Sequence, residues 1–210
     1  MKTILRFNPW CGSHFGSPKS IFARRTFILA GSTYADDSES TAEEDADWTN
    51  QLVDYYFDGE PGPWKKTYTT FINSIYGDDS TIEMRRAFFD SVLFNNFLQD
   101  YAGTKPSHAA ASNYHADHHF DAFLETIKKH KPDVIISWGS LVWDALRADW
   151  GYGPGKPGDP IIIQGVEFDD YWTFPFEGRE ILLVRARHPS SGYSRDFHNT
   201  LFKRLGLLKK

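Results

Sequence analysis

Four short apolar runs, each followed by polar or glycine residues, dominate the hydrophobic pattern of the chain. They cover residues 26–30, 91–94, 133–137 and 181–184. Each run is rich in β-branched or aromatic residues and does not alternate with polar positions. This pattern is typical of strands that are buried on both faces, as in a parallel sheet.

Helical patterns lie between and after these runs. Residues 120–129 carry an apolar stripe at helical spacing and stop before Pro132, which predicts a helix end. Residues 140–146 begin with Ser140, a residue type that caps helices, and are predicted to form a second helix. Residues 194–208 carry another apolar stripe and are predicted to form a third helix. Strands that alternate with helices predict an α/β sandwich.

The length of 210 residues indicates a single domain that spans residues 1–210. Within it, residues 36–77 form an acidic and aromatic insertion, and residues 151–160 form a loop rich in glycine and proline. The single cysteine, Cys11, excludes a disulfide within the chain and a cysteine-rich metal cluster. No apolar run approaches 18 residues, and the first apolar stretch is too short for a signal peptide, so we expect a cytoplasmic protein without a membrane span.

Charge is distributed unevenly along the chain. The net charge of −5 argues, taken as a whole, against a nucleic-acid-binding protein. Residues 36–60 hold ten acidic residues and no lysine or arginine, whereas residues 179–210 hold eight basic residues and two acidic ones. Such segregation is compatible either with one basic face on an acidic protein or with two solvated surfaces.

Polar or special residues follow all four predicted strands. They are Gly31 to Tyr34, the pair Asn95 and Asn96, Trp138 with Gly139, and the segment that begins at His188. In an open parallel sheet the carboxyl ends of the strands lie at one edge, where ligands bind. We therefore expect these residues to converge on one crevice.

The segment 188–194, His-Pro-Ser-Ser-Gly-Tyr-Ser, resembles the His-Pro-Ser loop of the uracil-DNA glycosylase superfamily. The resemblance extends in the same order to residues 30–34, which match the water-activating loop, to 92–98, which match the strand with a base-reading asparagine, and to 132–139, the third core strand. It implies a three-layer α/β/α sandwich around a mostly parallel sheet of four strands. It also implies a DNA glycosylase that acts on DNA as a monomer and needs no cofactor or metal.

The resemblance implies roles for individual residues. His188 would donate a hydrogen bond to the departing base, and Asn96, favoured over Asn95 by its register, would read the base edge. Ser32, Asp36 and Asp37 are the candidates for positioning the attacking water. The other residues implied to line the base pocket are Gly31, Tyr34 and Trp138, and those implied to contact DNA are Arg187, Ser190, Ser191, Gly192, Tyr193, Ser194 and Arg195. No lysine follows a strand as a nucleophile, so we expect a monofunctional enzyme.

Two departures from the family pattern bear on the substrate. Ser32 stands where many members carry a catalytic aspartate or asparagine, and the family's stacking phenylalanine has no clear counterpart, although Trp48, Phe57 and Trp64 lie where it would be sought. Uracil is the family's usual substrate. The altered first loop and the insertion at 36–77 favour a modified base instead, such as the glucosylated hydroxymethylcytosine of phage DNA, and hence a role in antiviral defence.

Two other functions fit parts of the sequence. His115 and His119 are four residues apart, so they would share a helix face near Asp121, a spacing that suits a metal-dependent hydrolase. Alternatively, the chain has the glycosylase fold without its catalysis and only senses a base, an interpretation that Ser32 favours and the His-Pro-Ser loop disfavours.

Overall fold

A sheet of seven strands forms the centre of the protein in the computed structural model, which describes residues 5–34, 45–103, 111–146 and 149–209. The strands are β1 (Trp10–Cys11), β2 (Thr26–Ala30), β3 (Val92–Asn96), β4 (Val134–Trp138), β5 (Lys156–Pro157), β8 (Tyr171–Phe176) and β9 (Arg179–Ala186). Their order across the sheet is β1-β3-β2-β4-β9-β8-β5. A separate hairpin joins β6 (Ile161–Ile163) to β7 (Val166–Phe168).

The middle of the sheet is parallel. Strands β3, β2, β4 and β9 all run in one direction, and each coincides with one of the four apolar runs to within one residue at its start or contains it. The prediction of an α/β protein with a mostly parallel centre is confirmed. The sheet nevertheless has seven strands instead of four, because the antiparallel strands β1, β8 and β5 extend it at its two edges.

Six α-helices are present in the described part of the chain. They are α1 (Trp48–Asp58), α2 (Pro63–Tyr76), α3 (Ile82–Ser91), α4 (Asp117–His130), α5 (Ser140–Leu146) and α6 (Arg195–Arg204), and a 3-10 helix covers Ala111–His115. The three helices expected from the sequence correspond to α4, α5 and α6. None of the described helices has the length and apolar character needed to cross a membrane.

Alternate residues of the central strands face two separate hydrophobic cores. Ile28 and Ala30 belong to one core, which α1, α2, α3 and α6 complete, whereas Phe27 and Leu29 belong to the other, which α4 and α5 complete. Both faces of the parallel strands are therefore buried, which explains their unalternating sequences. Helices α1 and α2 lie within the stretch 36–77, so its described part is built into a core.

The strand register aligns the carboxyl ends of the parallel strands. Ala30 at the end of β2 pairs with Asn96 at the end of β3, and Trp138 at the end of β4 pairs with Ala186 at the end of β9. Residues that follow these four positions consequently emerge at the same edge of the sheet. That edge is where the predicted site residues are found.

Candidate functional site

A cavity of about 850 Å³ opens at the carboxyl edge of the parallel strands. One side of its lining comes from the strand ends and the loops that follow them: Ala30, Gly31, Ser32, Thr33, Tyr34, Asn96, Trp138, His188 and Ser190. The other side comes from α1, α2 and their connection: Trp48, Leu52, Tyr55, Gly59, Glu60, Pro63, Trp64, Thr67 and Tyr68. The four strand ends thus contribute to one crevice, as the sequence predicted.

His188 is held in a defined orientation by Ser190. The Ser190 hydroxyl lies 2.7 Å from His188 Nδ1, and the Ser190 main-chain N–H donates to the same nitrogen at 3.3 Å. A main-chain N–H can only donate, so we assign Nδ1 as an acceptor and place the proton of the neutral ring on Nε2. Burial lowers the pKa of His188, which favours this neutral form. The site therefore offers an uncharged N–H donor.

Trp138 forms part of the cavity wall beside this histidine. Its ring meets that of His188 edge-on at a centroid distance of 6.3 Å and packs on Tyr68 at 5.5 Å. Trp138 is almost completely buried, whereas Tyr68 is partly accessible from the cavity. The two aromatic rings give the cavity an apolar wall next to the polar His188.

The neighbouring residues Asn95 and Asn96 have different surroundings. Asn95 Oδ1 accepts hydrogen bonds from Thr49 Oγ1 at 3.1 Å and from the Asn96 main-chain N–H at 2.9 Å, while Asn95 Nδ2 donates to the Phe7 carbonyl at 3.2 Å. Asn95 is thus engaged in tying the N-terminal segment and α1 to the sheet. Asn96 lines the cavity instead, so its side-chain amide is the better placed of the two to contact a ligand.

Hydroxyl groups cluster at the end of β2. Ser32 Oγ lies 2.9 Å from Tyr34 Oη, and a Cβ atom built on Gly31 would be 2.6 Å from the hydroxyl oxygen of Tyr114, whose role the sequence did not indicate. Gly31 and Tyr34 line the cavity together with Ser32. The other two candidates for positioning water, Asp36 and Asp37, lie outside the described residues. Among the described residues that line the cavity, Glu60 is the carboxylate.

The resemblance implies that Tyr193 lies at the tip of the loop, where it could wedge into the base stack, but the structure holds this side chain against the core. Its hydroxyl lies 2.6 Å from Ser74 Oγ on α2, and its ring stacks on His198 at 3.9 Å. Burial raises the pKa of Tyr193 well above its usual range. A side chain fixed in this way anchors the loop to the core and is not available to wedge into a base stack.

The remaining loop residues divide between structural and exposed positions. The Ser194 side chain caps α6 by accepting a hydrogen bond from the Phe197 main-chain N–H, and Arg195 pairs with Asp79 at 3.0 Å. Three other candidates for DNA contact, Arg187, Ser191 and Gly192, are exposed.

The buried His198 ring hydrogen-bonds to both ends of the segment that contains the His-Pro-Ser loop. Its Nδ1 contacts the Ser194 carbonyl at 2.7 Å, and its Nε2 accepts a hydrogen bond from the Arg187 main-chain N–H at 3.2 Å. One buried ring therefore connects the residue before His188 to the start of α6. Burial lowers the pKa of His198 to about 4, so the ring is neutral near neutral pH.

Of the wall formed by α1 and α2, sequence reasoning named Trp48 and Trp64 only as residues near the expected stacking position, and it missed Tyr55 and Tyr68. The wall carries the aromatic residues Trp48, Tyr55, Trp64 and Tyr68. The Trp48 indole N–H donates to Thr33 Oγ1 at 2.6 Å, which ties this wall to the loop after β2. The dense aromatic content of residues 48–68 was the available signal.

The histidine cluster of the metal-dependent alternative differs from the one expected. His119 is close to His118 and Asp100, and one ligand atom from each of these three lies within 4.8 Å of the others, whereas His115 is exposed. His118 Nε2 is 2.7 Å from Asp100 Oδ2, a hydrogen-bond distance. Two nitrogen or oxygen ligands of one tetrahedral zinc ion lie roughly 3.3 Å apart. Arg6 also pairs with Asp100, so the arrangement favours an ion-pair network over a cation site.

No protein-family model matches the chain, and a search of curated proteins finds no match.

Proposed function

We propose that this chain is a monofunctional DNA glycosylase, which flips a base into the cavity and hydrolyses its N-glycosidic bond to leave an abasic site. The observation that carries the proposal is the neutral His188, held by Ser190 so that its Nε2–H is a donor without a hydrogen-bond partner among the described residues, on a ring that lines a large cavity. The same cavity is lined by Asn96, Ser32 and Tyr34. A three-layer glycosylase-like architecture and a cytoplasmic monomer belong to the same proposal.

The chemistry depends on charge that develops on the leaving base. As the bond between the sugar C1′ and the base nitrogen breaks, its electron pair leaves with the base, and the sugar gains oxocarbenium character. The His188 Nε2–H donates to the base oxygen on which the negative charge accumulates. One preorganised donor of this kind stabilises a transition state by roughly 3 kcal/mol. A neutral donor with its orientation already fixed suits this role.

The proposal assigns recognition to the other polar groups. A base within a duplex must leave the stack before an enzyme can reach its glycosidic bond. Asn96 then pairs with the base edge through one donor and one acceptor. The proposal assigns contacts with the phosphates on either side of the flipped nucleotide to the exposed residues Arg187, Ser191 and Gly192, beside the cavity-lining Ser190.

The size of the cavity bears on the substrate. A volume of about 850 Å³ is in the range of pockets that enclose whole drug-sized molecules, whereas an unmodified pyrimidine is far smaller. The wall from α1 and α2 adds Trp64, Tyr55 and Thr67, together with the carboxylate of Glu60. Aromatic faces with nearby hydroxyl and carboxylate groups suit a bulky, hydroxyl-rich substituent. We therefore favour a modified base such as glucosylated hydroxymethylcytosine of phage DNA, with antiviral defence as the role, over uracil in DNA repair.

The proposal is tested by measuring base release and abasic sites in DNA under single-turnover conditions. The substrates are DNA with uracil, hypoxanthine, a thymine mismatch or 5-hydroxymethylcytosine, and glucosylated phage DNA. Alkali then cleaves the strand at each abasic site. We expect release from the glucosylated DNA and its loss in His188→Ala. Release of uracil alone would support the glycosylase and contradict the bulky substrate.

A catalytically inactive base sensor is the second candidate, and Ser32 in the position of the usual acid favours it. A serine hydroxyl alone is a poor general base. A sensor would retain modified DNA in a binding assay without producing abasic sites from any substrate. That outcome would contradict the enzymatic proposal and support the sensor.

A further inference from the structure

Tyr68 on α2 forms part of the aromatic wall of the cavity. Its ring packs edge-on against Trp64 at a centroid distance of 5.7 Å and against Trp138 at 5.5 Å. The other rings around it, at 5.9, 6.3 and 5.6 Å, are those of Tyr56, Phe89 and Phe94. Tyr68 nevertheless lines the cavity and is only half-buried. Packing therefore fixes the ring, and the part of the side chain that stays accessible faces the cavity.

The Tyr68 hydroxyl has no hydrogen-bond partner among the described residues, although aromatic rings surround its own ring. Burial raises the pKa of Tyr68 well above its usual range, so the phenol is protonated at neutral pH. In the described part of the chain, the buried side-chain polar atoms that lack a partner are His130 Nε2 and Trp138 Nε1. The Tyr68 oxygen is not one of them, so it is accessible, and the space that it reaches is the cavity.

The neighbouring Tyr56 shows how the fold treats a tyrosine hydroxyl that it uses itself. Tyr56 Oη lies 2.7 Å from Thr69 Oγ1, and Tyr56 is not part of the cavity lining. The Tyr193 hydroxyl is likewise paired, with Ser74. A tyrosine hydroxyl in the interior usually finds a partner, because leaving it unpaired costs free energy. The unpaired hydroxyl of Tyr68 therefore indicates a partner that does not belong to the free protein, namely a ligand in the cavity.

The position of Tyr68 relative to His188 indicates which ligand it meets. Both rings contact the indole of Trp138, that of His188 at 6.3 Å and that of Tyr68 at 5.5 Å. A ligand that accepts a hydrogen bond from His188 in this cavity therefore lies beside Tyr68 as well. The protonated phenol offers it an O–H donor, and a nucleobase carries oxygen and nitrogen acceptors along its edge.

We propose that Tyr68 is a base-contacting residue, whose hydroxyl donates a hydrogen bond to an acceptor on the flipped base. The proposal rests on the proposed glycosylase function and adds a donor that the resemblance does not imply. The base then meets polar groups from three elements: Asn96 of β3, His188 after β9 and Tyr68 of α2. A base without an acceptor for Tyr68 leaves this donor unpaired and is bound less tightly, so Tyr68 contributes to the choice of base.

The experiment compares Tyr68→Phe with the matched control Tyr56→Phe, on the DNA whose base the wild type releases. Single-turnover release at increasing protein concentration gives the maximal rate constant and the concentration for half-maximal rate. We expect Tyr68→Phe to lower the ratio of the two about tenfold, because one hydrogen bond to the base is lost, and Tyr56→Phe to keep the wild-type ratio. In urea unfolding, Tyr56→Phe should lower the denaturant midpoint, because its hydroxyl is paired with Thr69. Tyr68→Phe should not lower it, because its hydroxyl has no partner in the described part of the free protein.

A binding measurement identifies the base as the partner of Tyr68. We expect Tyr68→Phe to bind DNA with a tetrahydrofuran abasic-site analogue as tightly as the wild type, since that DNA has no base to contact. Release by Tyr68→Phe at the wild-type ratio, or a loss of affinity for the abasic analogue equal to the loss in release, would overturn the proposal. A wild type that releases no base from any substrate would instead remove the proposed function. The affinities of wild type and Tyr68→Phe for glucosylated DNA and for the abasic analogue then decide whether Tyr68 contacts the base, and equal changes for both DNAs would exclude it.

Discussion

The Ser190 hydroxyl lies 2.7 Å from Nδ1 of His188, and the Ser190 main-chain N–H, which donates to the same nitrogen at 3.3 Å, decides which nitrogen of the ring carries its proton. With Nδ1 accepting from Ser190, the neutral imidazole donates through Nε2. Ser190 and His188 are only two residues apart, so the loop supplies the histidine and its orienting partner together. The His-Pro-Ser loop thus sets the tautomer, and burial favours the neutral form of the ring.

Replacing either residue should therefore affect the chemical step. We expect His188→Ala to lower the single-turnover rate constant of base release about 100- to 1,000-fold, because a preorganised donor is lost. Ser190→Ala removes only the stronger of two hydrogen bonds to Nδ1, so about tenfold is expected. Rate constants from quenched reactions check both values. Equal rates for His188→Ala and the wild type would exclude His188 from catalysis.

Substitution of Asn95 should mainly lower stability, whereas substitution of Asn96 should mainly lower activity. Asn95→Ala leaves the Phe7 carbonyl and the Thr49 hydroxyl without their partner, so the free energy of unfolding should fall by about 2 kcal/mol. Asn96→Ala should lower that free energy less than Asn95→Ala does and lower base release at least tenfold, because Asn96 lines the cavity. Denaturant unfolding and single-turnover release of both variants check the pair. The reverse pattern would mean that Asn95 is the residue that reads the base.

The parallel centre of the fold was predictable because strands buried on both faces are continuous apolar runs. The strands near the edges of the sheet could not be predicted in this way. Strands β1 and β5 have only two residues each and show no periodicity. Strand β8 contains Pro175, and proline is tolerated in a sheet only at an edge or a bulge. For these strands the structure is decided by the pairing of β1 with β3, of β8 with β9 and of β5 with β8.

The site residues at the strand ends were also predictable, because parallel strands place their carboxyl ends at one edge of the sheet. Contacts between residues that lie far apart in the sequence could not be predicted. Tyr193 is anchored by Ser74, 119 residues away, and the Tyr114 hydroxyl lies beside Gly31, 83 residues away. Neither partner is indicated by a local pattern of hydrophobic and polar residues.

The close approach of Tyr114 to Gly31 can be tested through stability. Gly31→Ala would place a Cβ 2.6 Å from the Tyr114 hydroxyl oxygen, and such overpacking typically costs about 1 to 3 kcal/mol. Adding Tyr114→Phe removes that oxygen and leaves Cζ as the nearest ring atom at 3.5 Å, an ordinary contact. We expect the double variant to be more stable than Gly31→Ala alone. Denaturant midpoints that show no such recovery would contradict the placement of the hydroxyl.

Acid should destabilise the protein through its buried histidines. Burial lowers the pKa of His198 and of His119 to about 4, whereas an unfolded histidine titrates near 6.5. Between these values the unfolded state binds more protons, so the stability present above pH 6.5 is lost as the pH falls towards 4. Each histidine accounts for roughly 3 kcal/mol over this range.

His198→Gln should therefore flatten the dependence of the unfolding free energy on pH between 6.5 and 4. The exposed His115 offers a matched control, and His115→Gln should keep the wild-type slope. Urea unfolding at several pH values measures these slopes. Parallel profiles for His198→Gln and the wild type would mean that His198 is not a source of the acid sensitivity.

The size preference of the cavity can be tested on the wall formed by α1 and α2. Tyr55 is 52% exposed and lines the cavity, whereas Tyr152 is 49% exposed and lies outside its lining, so the two form a pair matched in type and exposure. If the wall holds a bulky substituent, Tyr55→Ala and Trp64→Ala should lower release of the glucosylated base about tenfold through lost stacking. Uracil does not reach Tyr55 or Trp64, so its release should change little, and Tyr152→Ala should affect neither substrate. Competition between the two DNAs in one reaction measures the ratio directly. An equal loss for both bases would show that the wall supports the fold of the site and does not select the substrate.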